Sequence, residues 1–307
     1  MFLLPSDELA LYVRGTAKRS EYNLHWAETR VESRQQLDKL LDSIMDILKR
    51  PCTRNEIANF LNKSHGYSLK LMAGGGWGDK RSTPFVEVGK SSFSVGFLLH
   101  VLGARDALCC GPNQGNESTY VRADRWVPHW TDVPRERAEE ELLVRYLRAF
   151  GPATVTDFAL WMGLYVRDAK VLWSRVADSI AQVDVEGWNA CILQSDLSEL
   201  ENGRDDKSVV RLLPNFDTFL LGHKSHRNVV DEKHHRQVYR PQGWVSPVVL
   251  VDGQARGVWS YVQRKSELEV SVTTFSRFPK GVMSQVREEA SELGKFLGCP
   301  NVKTAIS

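Results

Sequence analysis

One pattern limits this chain more than any other: three helices followed by a hairpin, an order that occurs twice in succession. The strongest helix runs from about Ser33 to Arg50. Its Leu37, Leu40, Leu41, Ile44, Ile47 and Leu48 recur at the spacing of one helical face. Pro51 stops it. Thr53, with Glu56 three residues on, then marks a capping box for a second helix whose buried face is Ile57, Ala58, Phe60 and Leu61. The Gly-rich, polar stretch from Gly74 to Ser92 reads as a loop, and Phe93 to Leu108 as a third helix. Leu108-Cys109-Cys110 and Ser118-Thr119-Tyr120-Val121 flank a Gly/Pro/Asn turn at Gly111 to Asn116, which makes a hairpin.

The order then returns. Arg135 to Phe150 is amphipathic through Leu142, Leu143, Tyr146 and Leu147, and Gly151-Pro152-Ala153 breaks it. Thr154 caps a short helix that ends at Gly163, and Arg167 to Ser179 forms the next. Ile180 to Val185 and Trp188 to Leu193 flank Glu186-Gly187 at the tip of a second hairpin. Helix, helix, helix, wing is the order of a winged helix, and repetition in tandem argues against coincidence.

After a polar linker at Ser195 to Ser208, including Asp205-Asp206-Lys207, the character changes to strands. These are expected at Val209 to Leu213, Phe216 to Leu221, Trp244 to Val251, Ala255 to Val262 and Leu268 to Thr274. Asp252-Gly253 makes a tight turn, and a final helix covers about Pro279 to Leu297. The expected class is α+β: tandem winged-helix units followed by a C-terminal β-barrel-like domain. Ser6 to Gly15 reads as a short helix, and Met1 to Leu4 as the tail of a strand whose beginning is absent.

A length of 307 residues suits two or three domains. With 40 Lys and Arg against 38 Asp and Glu, the formal charge is only +2, so nucleic-acid binding needs a local basic face rather than bulk charge. None of the five cysteines forms a C-x-x-C pair, which reads as free thiols in a reducing compartment. No stretch has the apolar length to span a bilayer, and the N-terminus lacks the basic region of a signal peptide. The expectation is a cytoplasmic protein with no membrane partner.

Three segments carry a resemblance. They are Gly151-Pro152-Ala153-Thr154-Val155-Thr156-Asp157-Phe158-Ala159-Leu160-Trp161-Met162-Gly163, Leu212-Leu213-Pro214-Asn215-Phe216-Asp217-Thr218-Phe219-Leu220-Leu221-Gly222, and Arg240-Pro241 through Asp252-Gly253 to Trp259. In this order they resemble the winged-helix DNA-binding family of AlkZ-like DNA glycosylases. The resemblance implies an arch around double-stranded DNA and excision of alkylated or crosslinked bases, with no small-molecule cofactor. It also sets the expected domains: residues 1–32 as the remnant of a first winged-helix unit, 33–132 and 133–196 as complete units, and 209–307 as the β-rich domain with its terminal helix. The family's Gln-x-Gln or Gln-x-Asp motif stands ahead of the segment that Leu3-Leu4-Pro5 matches. No Gln-x-Gln occurs in this chain, and Gln182-Val183-Asp184 falls in an expected wing strand. No catalytic residue is therefore carried over. The expectation is a product that starts late and is inactive, or one whose chemistry another segment or chain supplies.

Two carboxylates invite a catalytic reading because a glycosylase must position a water. Asp157, beside Phe158, suits the first turn of its helix better. Asp217, expected inside an apolar strand, suits an ion pair with Lys224 or Arg227. His223, His226, His234 and His235 look metal-like. Yet they lie among Lys224, Arg227, Lys233 and Arg236 with no carboxylate or thiol at ligand spacing, so a cationic loop is expected and no metal. Lys224 and Arg227 are the first candidates for phosphate contact. The wing tip Asn113, Gln114 and Asn116, the following Arg122 and Arg125, and Arg167 and Lys170 at the start of a recognition-type helix complete the DNA-binding set. Trp77, among glycines, either stacks on a base or tucks onto the core. A sequence-reading transcriptional regulator and a protein-interaction module remain the alternatives, since fold does not decide function.

Overall fold

In the computed structural model, which describes residues 4–72, 83–105, 108–128, 131–203 and 208–307, the chain is a mixed α+β protein. It divides into two compact units. The first takes Met1–Arg145, Met162–Leu164 and Ser174–Val176, and the second takes Tyr146–Trp161, Tyr165–Trp173 and Ala177–Ser307. The strand expected at Met1 to Leu4 falls almost wholly outside the described residues, as do Trp77 and the acidic run Asp205-Asp206-Lys207.

The first unit begins with helices α1 (Leu9–Gly15), α2 (Ala17–Glu28) and α3 (Arg34–Ile47). Strand β1 (Cys52–Thr53), α4 (Arg54–His65), β2 (Leu69–Met72), β3 (Thr83–Val88), β4 (Ser91–Ser94) and α5 (Val95–Arg105) follow. Next come β5 (Leu108–Gln114), β6 (Glu117–Arg122), α6 (Ala123–Trp126) and the greater part of α7 (Arg135–Phe150). The stripe on α3 buries Leu37, Leu40, Leu41 and Ile44 against Ile57, Ala58 and Leu61 of α4 and Leu98 and Leu102 of α5. Thr53 caps α4 as its spacing requires: Glu56 N donates to Thr53 Oγ1 at 3.2 Å, and Thr53 N donates to Glu56 Oε2 at 2.8 Å.

The expected loop from Gly74 to Ser92 contains β3 and half of β4, and β3 pairs with both β2 and β4 in the sheet β2-β3-β4. Its inward face is Val86, Val88 and Phe93, an alternation that the glycine run beside it obscures. Helix α2 has no counterpart among the expected elements because it buries little beyond Ala17 and Ala27, so no apolar stripe marks it. Glu139 of α7 is a buried carboxylate in this unit. It accepts from Arg135 Nε at 2.8 Å and from an Arg175 terminal nitrogen at 3.1 Å, while Arg135 also pairs with Glu21.

The second unit holds most of α8 (Val155–Met162) and α9 (Val166–Arg175), the hairpin β7 (Ile180–Val185) and β8 (Trp188–Leu193), and α10 (Leu197–Glu201). It continues with β9 (Val210–Leu213), α11 (Thr218–Leu221), α12 (His235–Val238), β10 (Val248–Val251), β11 (Gln254–Arg264), β12 (Glu267–Thr274), α13 (Val282–Phe296) and β13 (Asn301–Ile306). Five strands form one sheet in the order β13-β12-β11-β10-β9. Its edges β9 and β13 do not pair with each other, so the sheet is open and is not a closed barrel. Helix α13 covers it through Val282, Val286 and Ala290, which pack with Val249, Val251, Trp259, Val270 and Val272. A second cluster joins Val248 and Ala255 to Leu220, Val230, Val238 and Val245. The Asp252-Gly253 turn has both residues at positive φ, 52° and 80°, the geometry of the two-residue hairpin turn expected there.

The segment Phe216 to Leu221 is not a strand. Asp217 Oδ1 accepts from Phe219 N at 2.9 Å and caps the helical turn α11, a local bond that outcompetes sheet pairing. Strand β10 begins only at Val248, after Pro247. Strand β13 lies parallel to β12, a pairing that no hairpin signal announces. No helix among the described residues is long and apolar enough to cross a membrane.

Candidate nucleic-acid interface

In the second unit, the loop that carries Lys224 and Arg227 is fastened at its base by backbone chemistry. Asp157 stands at the third position of α8 and is buried. Its Oδ2 accepts from Thr154 N at 2.8 Å and from Thr154 Oγ1 at 2.5 Å, and its Oδ1 accepts from Lys224 N at 2.8 Å. One carboxylate thus caps the helix and holds the loop. Tyr146 Oη donates to Gly222 O at 2.7 Å, and burial followed by the charge of Asp157 pushes that phenol's pKa up. His223 Nε2 lies 3.2 Å from Pro152 O. A Cβ at residue 222 would collide with the Phe150 ring, so only glycine lets the loop approach α7 this closely. Lys224 and Arg227 themselves are exposed and make no ion pair among the described residues. Two exposed cations on a fixed base could neutralise phosphates.

The histidines stabilise this loop by stacking. His226 lies flat on Tyr239, with ring centroids 3.7 Å apart and planes 7° apart. Its Nδ1 is 3.2 Å from His235 Nε2, and Tyr239 Oη donates to Leu220 O at 2.8 Å. His234 stacks instead on Phe275 at 4.2 Å. One nitrogen of the His226–His235 contact donates and the other accepts, so protonating both breaks it. Burial first, then His235 and His223, push the His226 pKa below the ordinary histidine value. The unfolded chain therefore binds a proton that the folded chain resists. The stack's contribution is present above the unfolded pKa, about 6.5, and is lost as pH falls through the folded value. The urea midpoint of the wild-type protein should drop between about pH 7 and about pH 5, and His226→Phe, which keeps a ring on Tyr239, should show a smaller drop. An identical pH profile in both proteins would refute this role.

The remaining expected residues differ in availability. Arg167 and Lys170, at the start of α9, are exposed; Arg167 lies 3.7 Å from Asp168 and over the Tyr165 ring at 5.3 Å. In the first unit, Arg122 grips Asp124 with two bonds of 2.9 and 2.7 Å, and Arg125 is 3.9 Å from the same carboxylate. Asn113, Gln114 and Asn116 are exposed at the β5–β6 tip. Asp157 has the structural role its helix position implied. Asp217 forms no ion pair with Lys224 or Arg227 among the described residues, because it caps α11.

Two more Gln-x-Asp triplets accompany Gln182-Val183-Asp184: Gln36-Leu37-Asp38 in α3 and Gln194-Ser195-Asp196 after β8. Leu37 is core, Asp184 accepts from Gly187 N at 3.1 Å to shape the hairpin turn, and Asp196 accepts from Ser195 Oγ at 2.7 Å. Sequence reasoning also missed that Asp157 reaches Lys224. The Thr154-x-x-Asp157 spacing announced the cap, but nothing local announces a backbone partner 67 residues away.

The profile of the family described as AlkZ-like, DNA glycosylase AlkZ-like, matches residues 1–296. The interstrand DNA cross-link repair glycosylase of Streptomyces sahachiroi is 31% identical over 288 residues, which cover 92% of this chain and 72% of that protein. The solved structure of Streptomyces sahachiroi DNA glycosylase AlkZ is similar with a TM-score of 0.75 at 26% identity, covering 99% of this chain and 78% of that one.

Proposed function

Because the chain belongs to the AlkZ-like DNA glycosylase family, we propose that it binds double-stranded DNA and serves in the repair of alkylated or crosslinked bases. Helices α3, α4 and α5 with the β5–β6 hairpin, and α7, α8 and α9 with the β7–β8 hairpin, act in this reading as tandem winged-helix units at 33–132 and 133–196. Residues 1–32 belong to a preceding unit, and 209–307 form the β-rich domain. The single observation that carries the DNA contact is Lys224 and Arg227, exposed and without an ion pair among the described residues, on a loop held to α8 by Asp157. Arg167 and Lys170 add cations at the start of α9, and Arg125 adds one after the β5–β6 wing. Arg122, shared with Asp124, contributes least.

The test is anisotropy binding of two matched duplexes, one plain and one carrying a 7-alkylated purine, each titrated across salt. Binding should fall steeply with salt and be stronger for the alkylated duplex. The double substitution Lys224→Gln, Arg227→Gln should weaken binding by roughly 50-fold near 0.1 M salt and lower the salt slope by about 1.8, the value for two phosphate contacts. Equal affinity for the two duplexes, or binding insensitive to salt, would overturn the proposal.

A further inference from the structure

The sheet of the second unit contains an irregularity that the Lys224–Arg227 loop does not explain. Between β10 and β11 the register jumps: Val249 faces Gly257, but Leu250 faces Ala255. Arg256 is the extra residue, and its side chain is exposed. A bulge breaks ladder pairing and re-aims a side chain, and such features cluster at functional surfaces. Here the bulge is held from both sides. Ala255 N donates to Val229 O at 2.7 Å, and Phe275 N donates to Arg256 O at 2.9 Å.

These bonds bring three cationic segments together. Val229 lies two residues after Arg227, and Phe275 two residues before the exposed Arg277. His234, two residues before the exposed Arg236, stacks on Phe275 with planes 6° apart. Arg236, Arg256 and Arg277 make no ion pair among the described residues. Lys233, in the same neighbourhood, takes up Asp231 at 3.1 Å. Asp231 and Glu232 stand in the same stretch as Arg236, yet neither forms an ion pair with Arg236, Arg256 or Arg277 among the described residues, so the three exposed guanidiniums remain available to an anion. Arginine on rigid backbone suits phosphodiester oxygens, which its planar fork can meet with two bonds.

We propose that Arg236, Arg256 and Arg277 form a strip that holds the DNA phosphate backbone, extending the contact made by Lys224 and Arg227 across the β11 bulge. The proposal rests on the DNA-binding reading above and adds a second group of phosphate contacts to it. The occupant is the duplex backbone, with no base read by these residues.

The experiment uses the full chain and a plain duplex of about 24 bp, titrated from about 50 to about 200 mM salt. Arg236→Gln, Arg256→Gln and Arg277→Gln combined should lower the slope of log K against log salt by about 2 to 3, at about 0.9 per phosphate. The matching triple lysine variant should keep most of the slope, because the term is electrostatic. The thermal midpoint of each variant, measured alongside, should match the wild type, since all three side chains are exposed. A wild-type slope that survives in the glutamine triple variant overturns the strip and leaves the DNA-binding reading standing. Wild-type protein that binds no duplex overturns both. Equal loss in the glutamine and lysine variants assigns the effect to shape rather than charge and also overturns the strip.

Discussion

Asp157→Ala should destabilise the second unit by about 3 kcal/mol, the size expected when a buried carboxylate that accepts several bonds is removed. Three donors lose their acceptor at once: Thr154 N, Thr154 Oγ1 and Lys224 N. Thr154 Oγ1 retains a neighbour in Thr156 Oγ1 at 2.8 Å, so it is not stranded. The backbone N–H groups have no such alternative among the described residues, and their desolvation dominates the loss. Hydrogen exchange at the Lys224 amide should quicken more than at the core amides of β11, because that amide's only acceptor among the described residues is Asp157. Asp157→Asn should retain part of the stability, since an amide oxygen still accepts from one donor. If instead Asp157→Asn leaves the urea midpoint unchanged and abolishes base release alone, the carboxylate works on substrate and its structural assignment is wrong.

Glu139→Ala should cost the first unit about 3 kcal/mol, toward the lower end of the range for breaking a buried ion pair. Glu139 has only 8% of its side chain exposed, whereas Arg135 and Arg175 keep about a third of theirs. Water therefore recovers part of the lost interaction at both guanidiniums. Arg135 also keeps Glu21, so Arg175 is the group left without a carboxylate among the described residues. Glu139→Gln should lie between the wild type and alanine, because its amide oxygen can still accept one of the two bonds. Urea denaturation of the three proteins checks the order. A change below about 0.5 kcal/mol in the alanine variant, the size of an ordinary surface substitution, would show that the cluster is surface-like in solution.

The candidate interface is only partly readable from the sequence. Lys224 and Arg227 stand in a run of basic and histidine residues that any reading of the chain would mark. Neighbouring Lys233 differs from them in the fold because Asp231 pairs with it at 3.1 Å. Arg122 and Arg256 show the same difficulty in opposite directions. In the sequence Arg122 reads as an available cation, yet Asp124 grips it in the fold. Arg256 reads as one residue of a regular strand, yet it stands at a bulge. In both ion pairs the carboxylate is only two residues away, so the sequence shows the partner but not whether the backbone turns it toward the cation.

What the sequence by itself determined is the set of features with short-range causes. The α3 stripe, the Thr53–Glu56 box, the stop at Gly151-Pro152 and the Asp252-Gly253 turn each depend on residues within a few positions of one another. The tertiary structure alone decided that the five-stranded sheet stays open, that β13 joins it parallel to β12, and that Asp157 holds Lys224. Asp217's cap on α11 belongs with the short-range features, but the apolar residues around it concealed it as a strand. Strand pairing and buried polar bonds take their energy from partners distant in sequence, whose arrival depends on the whole packing of the unit. Periodicity can therefore mark which face of an element is buried, but not which distant backbone group will meet it.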